Sequence, residues 1–306
     1  MNVVFVCQKG LLEIQSLLLA ASIRQAMPQH ELIAAVCEGF GKIDPATRRL
    51  FNQLEVRMEP ISNDYTPTYP VGNKMVAANV APGLFLDSDN LCMHAFEGEP
   101  KGGHAITTGR YDIISNREWR NIHKLYDVPF KSNFNHVRAP FVIHETDFAK
   151  RWRDNSHKLW KAAHSGFALR RIRQVDQISL AITTQQTAGF KVHEWKTNPF
   201  MLSPSEIYQF VDGKLQTRSV CPPFLVLQKG WLYYKRQGQP EQESTNPNSL
   251  AYYPQIRSVV YSCLAEFPGL DRHPLWPLLH NLYFSHNPMD EGALEKIVRG
   301  VEGQMK

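Results

Sequence analysis

The first ninety residues alternate short apolar runs with segments of helical spacing, and few folds accommodate that rhythm. "NVVFVC" at 2–7 is apolar and largely β-branched, as a strand buried on both faces must be. Residues 11–27 place Leu11, Leu12, Ile14, Leu18 and Ala21 at roughly helical intervals, and Pro28 stops the pattern. "ELIAAVCEG" at 31–39 predicts a second strand closed by Gly39, and "DPATRRLFNQL" at 44–54 a helix capped by Asp44 with Pro45 at its first position. "EVRMEPI" at 55–61 reads as a third strand with Val56, Met58 and Ile61 turned inward. "GNKMVAANVA" at 72–81 reads as a short helix with Asn73 as its cap, and "GLFLDSD" at 83–89 as the fourth strand.

Four strands separated by three helices predict a mostly parallel sheet with crossover helices, an α/β fold. Ligands of such sheets lie beyond the carboxyl ends of the strands. Further on, a strand is expected at 139–145, helices at 147–163 and 175–189, a strand at 190–195, a polar loop at 236–256 and a helical final fifty residues. The 306 residues are enough for a large core, and 43% hydrophobic with 21% charged residues is the balance of a soluble globular protein.

No stretch is long and apolar enough to span a membrane, and "MNVVFVCQKG" lacks the basic start of a secretion signal. The five cysteines are odd in number and widely spaced, with no CxxC pair, so reduced thiols in the cytoplasm are expected, packed as small hydrophobes. The net charge of +5 is mild but concentrated: residues 150–173 hold eight Lys or Arg against one Asp. A solvated helix face is one reading. An anionic membrane surface at the inner face, or a polyanionic acceptor, is the other. No nucleic-acid-binding motif accompanies the charge.

The chemistry concentrates where strand four ends, in Asp87-Ser88-Asp89. Two residues apart on a strand, both carboxylates would point to one side, repel each other and be costly to bury. A Mn²⁺ or Mg²⁺ ion relieves both problems, since such ions take oxygen ligands and rest on one or two carboxylates plus substrate phosphates. A DxD pair alone is common in surface turns. The apolar strand before it, and its place fourth in a β/α series, favour the metal reading. Lys74, at the predicted helix start, adds a cation for an anionic ligand.

With those residues in view, the chain resembles the GT-A glycosyltransferases, which transfer sugars from nucleotide diphosphate donors. The resemblance rests on "YPVGNKMVAANVAPGLFLDSDNL" at 69–91 and on "VDQISLAITTQQTAGFKVHEWKTN" at 175–198, and extends in element order over about residues 1–200. It implies a GT-A domain over 1–220, with 1–105 binding the nucleotide sugar and 106–220 facing the acceptor, followed by a strand, loop and helical extension at 221–306. It implies that Asp87 and Asp89 hold the metal, and that Gln8, Glu38, Lys74, Asp87 and Ser88 hold the donor, most simply a UDP-sugar. Asp176, with Gln177 beside it, would meet the sugar or acceptor, Asp176 serving as base in an inverting enzyme. The implied activity is that of a hexosyltransferase acting on a glycan or lipid-linked acceptor.

One departure stands out. Several branches of that superfamily supply a third metal ligand from a late His, but the nearest equivalent here, "PPFLVLQKGW" at 222–231, has none. His280 or His286 could replace it, or the two carboxylates could suffice with phosphates and water. Two rival readings remain: a GT-A-shaped binding protein without turnover, and a phosphatase of the haloacid dehalogenase type. The second fits poorly, because its DxD usually stands on the first strand. An acceptor groove lined by Trp119, Trp152 or Trp195 is a further expectation, set against plain core packing for each.

Overall fold

The computed structural model describes residues 1–65, 70–95, 105–107, 115–130, 137–143, 146–164, 175–187, 208–211, 214–217, 224–226 and 253–283. The strands β1 (Asn2–Gln8), β2 (Glu31–Cys37), β3 (Val56–Ile61) and β4 (Gly83–Leu86) form the parallel part of one sheet. Helices α1 (Leu11–Ala26), α2 (Pro45–Gln53) and α3 (Asn73–Ala77) connect them. Asp44 caps α2 as expected, its side chain accepting the Ala46 N–H at 2.7 Å, and Pro45 opens the helix.

After β4 come β5 (Asn90–Cys92), β6 (Ala105–Thr107), α4 (Asn116–Tyr126), β7 (Val137–Ile143), α5 (Thr146–His164) and α6 (Val175–Gln186). The six-stranded sheet runs in the order β3-β2-β1-β4-β7-β6. β7 is antiparallel to β4, and β6 to β7, so the sheet is mixed and mostly parallel. Strands β8 (Tyr208–Val211) and β9 (Lys214–Thr217) form a hairpin, and β10 (Phe224–Val226) lies antiparallel to β5. Helices α7 (Tyr253–Glu266) and α8 (Trp276–Tyr283) follow. The arrangement is an α/β one, a mostly parallel sheet flanked by helices, with a helical C-terminal region. The strand expected at 190–195 and residues 236–252 of the loop expected at 236–256 lie outside the described residues, whereas Tyr253 to Ile256, expected in that loop, open helix α7.

Both faces of β1, β2 and β4 are covered, which is why they read as apolar runs, whereas the edge strand β3 is only partly buried. Phe5 and Cys7 face the layer of α1, α2, α7 and α8, whereas Val4, Val6 and Phe85 face α3, α4, α5 and α6. Ile256, Val260, Cys263, Leu270 and Leu279 are buried in the first layer, so the C-terminal helices share the core of α1. Gly83 is required where β4 meets β1: its φ is +156° and a Cβ there would stand 2.3 Å from the Asn2 carbonyl oxygen.

The chain lays down β1, β2 and β3 in one direction, then returns to place β4 on the other side of β1. That reversal between β1 and β4 opens a crevice at the strands' carboxyl ends, where open α/β sheets bind ligands. Among the described residues, no helix is long and apolar enough to cross a membrane.

Candidate active site

The crevice is a pocket of about 420 Å³. β1 contributes Val6 and Gln8, and the turn after β4 contributes Asp87, Ser88 and Asp89. Lys74 reaches it from α3. Sequence reasoning missed Lys9, Leu11, Leu12, Gln15 and Val71, which also line it. They carry no motif of their own: Lys9, Leu11, Leu12 and Gln15 enter because β1 ends beside the start of α1, and Val71 from the turn before α3.

The two carboxylates are not on a strand, contrary to expectation. β4 stops at Leu86, its last partner on β1 being Phe5, and Asp87 to Asn90 turn the chain into β5. The Asp87 carbonyl accepts the Asn90 backbone N–H at 3.0 Å and the Asn90 side-chain N–H at 2.7 Å. The Ser88 hydroxyl donates to the Val6 carbonyl at 2.5 Å and ties the turn to β1. The turn thus brings Asp87 and Asp89 to the pocket without strand alternation.

Lys74 gathers the charges. Its Nζ lies 2.9 Å from Asp87 Oδ1 and 3.4 Å from Asp176 Oδ2. Burial pulls its pKa down, but Asp87, Asp176 and Asp89 together outweigh that and hold it above the ordinary lysine range, so it remains an ammonium. Asp176 sits in the first turn of α6 with its side chain only 6% exposed. Its carbonyl is anchored by Trp152 Nε1 at 2.9 Å and by the Ser179 hydroxyl at 3.0 Å. Gln177 follows it, with a buried Oε1 that has no hydrogen-bond partner among the described residues.

Other expected residues fall elsewhere. Gln8 is the last residue of β1 and accepts the Asn73 side-chain N–H at 2.9 Å. Asn73 itself is the first residue of α3 and makes no capping bond. Glu38 is exposed in a single 3₁₀ turn, Glu38–Phe40, is paired with Arg48, and does not line the pocket. Trp119 and Trp152 are packed in the core, whereas Trp195 lies outside the described residues. His280 sits on α8 against the Trp276 ring, and His286 lies outside the described residues. In the basic segment, Arg153 pairs with Asp64, Arg151 donates to the Gln186 carbonyl at 3.0 Å, and Lys158 lies over the Tyr126 ring. Cys7, Cys37, Cys92 and Cys263 are free and buried. Burial pushes the Cys7 thiol up to about 12, so it is no nucleophile at neutral pH.

The donor set suits a hard divalent cation. Asp87 and Asp89 offer carboxylate oxygens to one pocket, the ligand type such ions take. Among the described residues no group of three or more His, Cys, Asp or Glu could enclose a metal. Asp87 and Asp89 would hold a cation here, with room in the pocket for substrate oxygens and water in its shell.

Residues 3–188 match the family model of the Rhodobacterales glycosyltransferase domain. The chain belongs to that family. This glycosyltransferase has no sequence match among curated proteins. Solved structures similar to it include an active-site mutant of LgtC, at 14% identity and TM-score 0.38 over 60% of this chain and 70% of that one. The galactosyltransferase LgtC in complex with donor and acceptor sugar analogues is similar at 14% identity and TM-score 0.37, over 59% and 70%. PaToxG glycosyltransferase is similar at 9% identity and TM-score 0.38, over 60% and 68%. At that distance none of them assigns a role to a residue of this glycosyltransferase.

Proposed function

We propose that this glycosyltransferase moves a hexosyl group from a UDP-sugar to a hydroxyl of a glycan or lipid-linked acceptor, with Mn²⁺ or Mg²⁺ held by Asp87 and Asp89. One observation carries the reading: two carboxylates and an ammonium converge on one pocket at the sheet's switch point. That arrangement suits a ligand bearing both phosphate and hydroxyl groups.

Bound there, the divalent cation would neutralise the diphosphate as the sugar–phosphate bond breaks. Lys74 supplies a second positive charge, already within 3 Å of Asp87 and able to turn toward phosphate. The Ser88 hydroxyl, committed to Val6, holds the Asp87–Asp89 turn against β1. Asp176 is the carboxylate proposed to meet the sugar or the acceptor hydroxyl, and in an inverting transfer it would take the hydroxyl proton. Gln177 Oε1, a buried acceptor lacking a donor, is suited to a sugar hydroxyl.

The test is UDP release from a panel of nucleotide sugars, with Mn²⁺ or with EDTA. Metal-dependent release from one donor, reduced by roughly 10²-fold or more in Asp87→Asn/Asp89→Asn, is expected. Release that is unaffected by EDTA and by the double substitution would sink the reading.

A further inference from the structure

Trp152 touches both elements that carry the carboxylates paired with Lys74. It stands on α5, 2% exposed, within the layer of helices on one face of the sheet. Its indole N–H donates to the Asp176 carbonyl at 2.9 Å and to the Ser179 hydroxyl at 3.1 Å. Its ring meets the Phe85 ring edge-on, with 6.2 Å between centroids and 86° between planes. Phe85 lies on β4, two residues before Asp87. One side chain thus joins the strand that leads into Asp87 to the helical turn that carries Asp176, the two carboxylates within reach of one ammonium.

The seam between α5 and α6 around Trp152 is polar, although the layer is otherwise apolar. The Ser156 and Ser179 hydroxyls lie 2.7 Å apart, and Asn155 donates to the Thr183 hydroxyl at 2.9 Å. Ser156, Ser179 and Thr183 are fully buried. Apolar surfaces can slide past one another at small cost, but a slip in a buried hydrogen-bonded seam leaves polar groups unpaired. The indole nitrogen is a donor only, so its bond to a carbonyl has a fixed direction.

We infer that Trp152 is a positioning residue, whose N–H holds the first turn of α6 in register with β4 and thereby sets where Asp176 stands relative to Lys74 and Asp87. This rests on the role proposed above for Asp176. Trp152 itself meets no substrate. A reacting group displaced by about 1 Å loses up to roughly 100-fold in rate.

Turnover of the UDP-sugar found with the donor panel, counted per UDP-binding site, tests it. Calorimetry with UDP and Mn²⁺ counts those sites, so a variant that is merely part unfolded loses sites and keeps its turnover per site. In Trp152→Phe the per-site kcat is expected to fall roughly 10- to 100-fold, with the donor KM within about threefold of wild type. Replacing Trp152 by benzothienylalanine exchanges the N–H for sulfur on a ring of nearly the same shape. It should produce the same fall, and it decides if Trp152→Phe does not fold. In an Asp176→Asn background the loss should shrink to within about threefold, because a residue that acts through Asp176 then has nothing to position. Should Asp176→Asn be too slow to read, the per-site kcat of the two single replacements decides. Full per-site kcat in both replacements overturns the inference and leaves the transferase reading standing. So do equal losses with and without Asp176, which would mean that Trp152 serves the helical layer at large. Wild-type turnover in Asp176→Asn would remove the proposed role of Asp176 and the inference with it. If wild type turns over no nucleotide sugar, the transferase reading and the inference both fall.

Discussion

Two carboxylate-centred networks lie on opposite faces of β1, and they are built on opposite terms. On one face, Glu13 of α1 is 1% exposed and accepts the Asp44 N–H at 2.5 Å and the Thr47 hydroxyl. The Thr47 oxygen lies 2.8 Å from His273 Nε2, and His273 Nδ1 accepts the Leu275 N–H at 3.1 Å. With Nδ1 an acceptor, the neutral ring carries its proton on Nε2 and passes a donor to Thr47, which donates to Glu13. The donors of that chain each meet an acceptor. On the other face, one ammonium, Lys74, serves Asp87 and Asp176, while Asp89 lines the same pocket. The cluster faces open space in the pocket, which Lys9 also lines. A closed network has nothing left to offer a ligand, whereas an incomplete one is stable only with solvent or a ligand to finish it.

The largest expected effect tests the closed network. Glu13→Ala would leave the Asp44 N–H and the Thr47 hydroxyl without their acceptor, costing about 3 kcal/mol of stability. Thermal unfolding should show the loss, while UDP affinity measured well below the transition stays within about threefold. An unaltered melting temperature would break the contrast, because it would mean that the chain of bonds is idle. Lys74→Met should act the other way round. Its side chain is a quarter exposed, so the stability cost is limited to about 1–2 kcal/mol. Removing an ammonium that competes for Asp87 should strengthen Mn²⁺ binding in the absence of nucleotide by about tenfold, read from the free Mn²⁺ signal by electron paramagnetic resonance. Weaker Mn²⁺ binding in Lys74→Met would mean that the lysine organises the carboxylates rather than standing in for a cation.

How much of this could be read from sequence follows from range. Strands β1, β2 and β4 are continuous apolar runs and announce themselves; the Asp44-Pro45 start of α2 does too. The meeting of Lys74 and Asp87 follows from placing both at the same edge of an α/β sheet, whereas Asp176 is expected near the sugar only from the GT-A resemblance. What stayed hidden depends on contacts between distant positions. Asn73 looked like a helix cap, but Gly72 before it is already helical, at φ −58° and ψ −25°, so the Asn73 amide reaches Gln8 instead. Asp87 and Asp89 looked like strand residues, yet the ladder to β1 ends at Leu86 and the Ser88 hydroxyl reaches the Val6 carbonyl. Glu13, Thr47 and His273 are unremarkable singly, and nothing local links residues 34 and 226 positions apart. The Ser115–Glu118 capping box of α4 is legible in "SNRE", with Trp119, Ile122 and Tyr126 following it at helical spacing.

Two smaller effects probe how the closed network is maintained. Thr47→Val keeps the shape but removes the link, leaving the His273 Nε2 proton unmatched while Glu13 Oε1 keeps the Asp44 N–H, for a loss of about 1–2 kcal/mol. The last effect concerns pH. Burial lowers the His273 pKa, only partly opposed by Glu13 and Asp44. The unfolded chain therefore takes up the proton near pH 6.5 while the folded one still refuses it. Below that pH the unfolded state binds more protons, so this contribution to stability is whole above about 6.5 and is lost as pH falls toward the folded value. Protonation would also turn Nδ1 into a donor against the Leu275 N–H. His273→Gln removes the titration, while its amide N–H can still reach Thr47. Wild type should lose more melting temperature than His273→Gln between pH 7.5 and 5.5, with the difference in slope at most about 1.4 kcal/mol per pH unit. Equal slopes in the two proteins would show that the ring takes its proton without opening the network, and the contrast with the Lys74 cluster would then rest on that cluster's exposure to the pocket alone.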